Sequence, residues 1–170
     1  ILQLRGEILV LLGRFLEAEE IFLSTQSLTD SSKATRIDAE VLSALADIAL
    51  KQGDTDKALS MHHDALEKFI QFGDEKGAAR SYNNMGYLLR RKNDLSKALE
   101  AYGEVETILK GSNNAELVGT QLTLARAFIE LNEIDRARDH ALQAFENTDG
   151  GDDVLLLSLI HISEPTRLGF

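Results

Sequence analysis

A chain of 170 residues with no cysteine, no tryptophan, one proline and a net charge of −10 has room for one domain core or a short repeat array. Without cysteine it holds no disulfide framework or thiolate zinc site. Its acid excess, spread along the chain, argues against a general nucleic-acid surface and against docking on anionic membranes. Few prolines and many Ala, Leu, Glu, Lys and Arg favour long helices with few forced breaks.

The chain opens at Ile1, without methionine, inside an apolar helix; the expectation is a truncated reading frame whose own N-terminus is not legible. The apolar run at residues 8–12 is far shorter than the roughly 20 residues of a membrane span. From here internal repetition organises everything. Gly6, Ala46, Gly86 and Ala125 are separated by 40, 40 and 39 residues. The same intervals separate Ala18, Ala58, Ala98 and Ala137, and Leu9, Ala49, Leu89 and Phe128. They recur at the turn set Gly13, Gly53, Asn93 and Asn132, and at Phe15, Thr55, Leu95 and Ile134. Five columns sharing one deletion define four units, residues 1–28, 34–72, 75–110 and 114–148.

Each unit reads as two helices around a short turn. In the third, Tyr82, Met85, Gly86 and Leu89 share one helical face. Asn93 then suits a left-handed turn position and Asp94 a helix cap. Leu95, Ala98, Leu99, Tyr102 and Val105 form the inner face of the following helix. Gly86 and Ala98 are small where two helices cross, and every glycine is expected at a turn or a crossing. Residues 45–66 and 124–145 repeat this logic. Residues 149–170 form a linker and tail. Within it, LSLIHISEPTR at residues 157–167 is similar to the translation of a sequencing-library adapter, so the tail is expected to be non-native and is left out of fold and site reasoning.

A small residue, an apolar one, a Gly or Asn turn and then an alanine resemble the tetratricopeptide repeat (TPR) over residues 1–148. Two features depart from the family: a period near 40, where about 34 is usual, and the missing unit-ending proline. GDEKGAARSYNNMGYLLRRKNDLSKALEAY, residues 73–102, is similar to a longer variant found in bacterial and archaeal signalling proteins and transcriptional regulators. The resemblance implies an all-α fold: a right-handed α-α superhelix, or TPR-like solenoid, of about four helix-turn-helix repeats. It implies a scaffold-like interaction module for a peptide or protein partner, cytoplasmic, with no catalysis and no cofactor. The alternative is a sensory or regulatory segment of a larger signalling or transcription-regulatory protein.

Chemistry-bearing strings are absent from the sequence. There is no HExxH, GxxxxGK[ST] or GxSxG, and GDD at residues 151–153 lacks EF-hand ligand spacing. His62 shares the column of Phe22 and Tyr102 and is expected to pack between helices, while His63 leaves on another helical face. Glu19 and Glu20 read as a solvated surface. No metal site or enzyme follows.

In the resembling family, first helices line the concave side, where side chains opposite the core meet the partner. Here those are Glu40, Ser43, Asp47 and Lys51, then Arg80, Asn83, Tyr87, Arg90 and Arg91, then Leu122, Arg126 and Ile129. Asn84 stands beside them, where family members place an asparagine against a peptide backbone. One amide offers both donor and acceptor to a peptide group, and Tyr87 adds a rigid surface with a polar tip. The candidate peptide-binding set is therefore Arg80, Asn83, Asn84, Tyr87, Arg90, Arg91 and Arg126. Its positive charge on an acidic chain implies an acidic, extended partner, with Glu7, Glu40 and Asp47 favouring a basic stretch further along. The family's clamp for a C-terminal carboxylate is matched only at Asn84, since Ser43, Asp47, Gly119 and Thr123 take its other places. The abrupt apolar start implies self-association through uncapped ends.

Overall fold

A computed structural model describes residues 2–28, 36–110 and 115–148. The chain divides into two compact units, residues 1–94 and 95–170. The first contains α1 (Leu2–Leu11), α2 (Phe15–Leu28), α3 (Arg36–Lys51), α4 (Thr55–Gln71) and α5 (Glu75–Arg91). The second contains α6 (Leu95–Ile108), α7 (Ala115–Glu130) and α8 (Ile134–Glu146). Among the described residues there is no strand, and two helices fall in each of the four expected units. Residues 149–170, with the adapter-like tail, lie outside the described residues.

The turn column works as its residues dictate. Gly13, Gly53, Asn93 and Asn132 all adopt positive φ, at 73°, 89°, 62° and 60°. In each turn, two amides close back on the helix just ended. At the second, the Gly53 amide donates to the Leu50 carbonyl at 3.0 Å and the Asp54 amide to the Ala49 carbonyl at 2.9 Å. This is the Schellman arrangement, which satisfies carbonyls that the helix end leaves without intrahelical donors. The α4–α5 connection repeats it at Gly73. Asp54 and Asp74 then start α4 and α5 by accepting from the Lys57 and Gly77 amides, each at 3.0 Å.

Packing follows the small-residue columns. Ala18, Ala58, Ala98 and Ala137 are buried, as are Gly6, Ala46, Gly86 and Ala125. In the first unit, Leu9, Ala18, Phe22, Val41, Leu45 and Ile48 form a core shared by α1, α2 and α3. Gly6 is required there, because a Cβ would stand 2.6 Å from Phe22 Cζ. Further along, Ala49 and Ala58 pack with Leu88. His62 is fully buried, as are Phe22 and Tyr102 in its column.

In the second unit, Ala125 and Ala141 pack together. The buried Phe128 ring packs against Arg136, whose Cζ lies 4.0 Å from its centroid, and against the stacked His140 ring at 5.2 Å. His140 Nδ1 lies 3.1 Å from Glu106 Oε1, which ties α8 to α6. Two glycines depart from expectation. A Cβ on Gly103 or Gly119 would meet nothing within 4 Å, so neither marks a turn or a crossing.

Candidate functional site

The α5 sequence separates a buried face from an exposed one. Ala78, Ser81, Gly86 and Leu88 point inward and are buried. Arg80, Tyr87 and Arg91 are exposed on the other side, with Asn83, Asn84 and Arg90 half-buried among them. Residues three and four apart on a helix are surface neighbours, so these side chains share one stripe. Two arginines lie near aromatic rings. Arg91 Cζ stands 5.9 Å from the Tyr87 ring centroid and Arg80 Cζ 6.0 Å from that of Phe69, at the outer reach of cation–π attraction.

Phe69 comes from α4, and the sequence reading overlooked it. Its signal was Gly77, a helical glycine where the second unit's column has Ile37. A Cβ there would stand 2.5 Å from Phe69 Cε1. The ring therefore lies directly against the first turn of α5, buried but reaching the base of a cavity of about 280 Å³. Glu7 of α1, Glu40, Ser43 and Asp47 of α3, and Arg80 of α5 complete most of its wall. The structure thus brings the predicted acidic residues together with Arg80 around one depression. Arg36 Nε reaches Glu40 at 3.3 Å and Asp74 at 3.0 Å. His62 Nε2 lies 3.6 Å from Asp47 Oδ1. Lys51 is exposed at the end of α3.

Arg126 belongs to the second unit, exposed on α7. Its predicted stripe companions Leu122 and Ile129 need correcting: both are half-buried and pack against Ala125 and Ala141. Two alanines leave volume at a helix contact, and larger neighbours fill it. A second concavity in this unit, of about 430 Å³, was also missed. Three of its amide side chains pair with one another: Asn147 Nδ2 donates to Gln121 Oε1 at 3.0 Å, and Gln121 Nε2 to Gln143 Oε1 at 3.3 Å. His63, Asp64 and Glu67 cluster within 4.8 Å on α4, all exposed.

Residues 37–111 match the tetratricopeptide repeat family model. Three solved structures share the fold. BtubC (BKLC) from P. vanneervenii aligns at TM-score 0.78 and 17% identity, covering 93% of this chain and 68% of that one. The Cut9–Hcn1 hetero-tetramer of the APC/C aligns at TM-score 0.71 and 17% identity, over 96% of this chain and 29% of that one. A putative kinesin light chain with TPR-like repeats from P. anserina aligns at TM-score 0.73 and 13% identity, covering 95% and 82%. No curated protein matches the sequence. Residues 37–111 thus carry tetratricopeptide repeats, and the described residues have an all-α, TPR-like fold. That fold is characteristic of protein–protein interaction modules, and among the described residues no helix is long and apolar enough to cross a membrane.

Proposed function

We propose that this chain binds an extended, acidic peptide segment of a partner protein along the exposed face of α5. Arg80, Asn83, Asn84, Tyr87, Arg90 and Arg91 would meet it. The observation that carries this reading is the stripe itself: three arginines, two amides and a tyrosine on the side of α5 facing away from its packed residues, in a chain of net charge −10. Guanidinium groups offer forked donors to carboxylates. The two asparagines match the donor and acceptor of a peptide backbone whatever its side chains. Tyr87 supplies flat contact area at little entropic cost. Arg126, exposed on α7, offers a separate contact for an acidic segment.

The test uses a capped tetra-aspartate peptide as probe, titrated calorimetrically into the 170-residue chain. Asn84→Ala should weaken binding several-fold. Arg80→Glu with Arg91→Glu should abolish it, while circular dichroism stays unchanged. Full affinity in the folded double reversal would place any acidic partner elsewhere.

A further inference from the structure

We infer that the cavity floored by Phe69 is a receptor for one cationic side chain, a lysine or an arginine of the docking segment. The inference rests on the first-helix reading above and adds a second, opposite specificity to it.

The charge around the cavity is uneven. Glu7 from α1 and Glu40 and Asp47 from α3 line it, against the single guanidinium of Arg80. Arg36 is shared between Glu40 and Asp74, whereas among the described residues no lysine or arginine pairs with Glu7 or Asp47, which line the same space. The floor suits a cation too, because the face of an aromatic ring attracts positive charge. Arg80 Cζ already stands 6.0 Å from the Phe69 centroid.

Beside Asp47 lies a buried polar group without a full set of partners. His62 is 1% exposed, its Nδ1 has no hydrogen-bond partner, and its Nε2 is directed at Asp47 from 3.6 Å. A buried, under-satisfied imidazole is costly, and the Asp47 carboxylate beside it also lines the cavity. The volume, about 280 Å³, is slightly below the roughly 300 Å³ at which pockets for whole small molecules begin. A space of that size has room for one long anchor side chain.

Together these features fit a dipolar segment. Its lysine or arginine enters between Glu7 and Asp47 with its stem on Phe69, and Arg80 swings from the ring toward the segment's acidic residues along α5.

The experiment is a backbone-amide NMR titration of the 170-residue chain with acetyl-Ala-Lys-Ala-amide, its arginine analogue, and an uncharged norleucine analogue. The two cationic peptides should shift Ser43, Ala44 and Asp47 saturably, and norleucine should not. Glu7→Gln with Asp47→Asn should weaken the lysine peptide at least tenfold. Glu20→Gln with Glu67→Gln, the same charge change at exposed positions outside the cavity wall, should weaken it less than twofold. Equal losses from the two pairs would reduce the effect to general attraction by an acidic chain and overturn the proposal. So would a lysine peptide that causes no saturable shift at these three residues. The tetra-aspartate titration is read separately: its persistence when the lysine peptide fails sinks the receptor alone. Loss of the aspartate response, with lysine binding intact, sinks the α5 reading and leaves the receptor standing.

Discussion

Phe69 and Gly77 fit each other so closely that neither can change alone. A Cβ on Gly77 would stand 2.5 Å from Phe69 Cε1, and the ring is 1% exposed. Alanine in a helix normally gains about 1 kcal/mol over glycine. Overpacking a rigid contact costs about 1–3 kcal/mol and wins here. Gly77→Ala should therefore destabilise the chain by up to about 2 kcal/mol, read from urea unfolding. Because the displaced ring also floors the cavity, the variant should lose lysine-peptide binding as well. A stabilised variant would show that the ring yields.

Gly119 tests the opposite sign. It lies within α7, is exposed, and a Cβ there would touch nothing within 4 Å. Only the backbone entropy of the unfolded chain changes, so Gly119→Ala should stabilise by about 0.4–1 kcal/mol. A loss of stability would reveal a contact that requires the bare backbone.

The asparagine turns should prefer glycine. Asn93 and Asn132 hold φ near +60°, where side chains other than those of Asn and Asp cost roughly 1–2 kcal/mol. Asn93→Gly is expected to leave the unfolding midpoint unchanged or raise it. Asn93→Val, β-branched and unable to bond locally, should lower stability by at least about 1 kcal/mol. Equal midpoints for the two would contradict the left-handed assignment.

These turns show why so much of the fold was legible. A left-handed residue and a helix crossing each admit few side chains, so Asn93, Asn132, Ala18 and Ala58 leave their mark in the sequence at fixed intervals. Phe69 leaves none, because its place is set by a partner glycine eight residues on, and neither residue repeats in the other units. The exposed face of α5 was likewise readable from helical spacing. Leu122 and Ile129 were misassigned because spacing gives direction but not how far a side chain leans into volume left by alanines. The cavity was half-visible: its acids lay on the predicted face, but its aromatic floor came from a second helix.

The final prediction compares Ile8 and Ile48, which share a column but not an environment. Ile48 is 1% exposed, and Leu88 and Ala127, next in that column, are also buried. Ile8 is 48% exposed, among Leu4, Leu11, Leu12 and Leu16, which are exposed as well. Burial of a large aliphatic side chain is what makes its truncation costly, about 2–5 kcal/mol for Ile→Ala in a core. Ile48→Ala should fall in that range, whereas Ile8→Ala should cost less than about 1 kcal/mol. The apolar surface around Ile8 has a second consequence, since a contiguous exposed patch promotes association. Sedimentation of the 170-residue chain should show concentration-dependent self-association, reduced by Ile8→Lys with Leu16→Glu. Hydrogen exchange should find α1 and α2 less protected than α3 and α4 at low concentration, the difference narrowing as copies associate. A strictly monomeric chain with α1 protected as strongly as α3 would show that this face needs no partner.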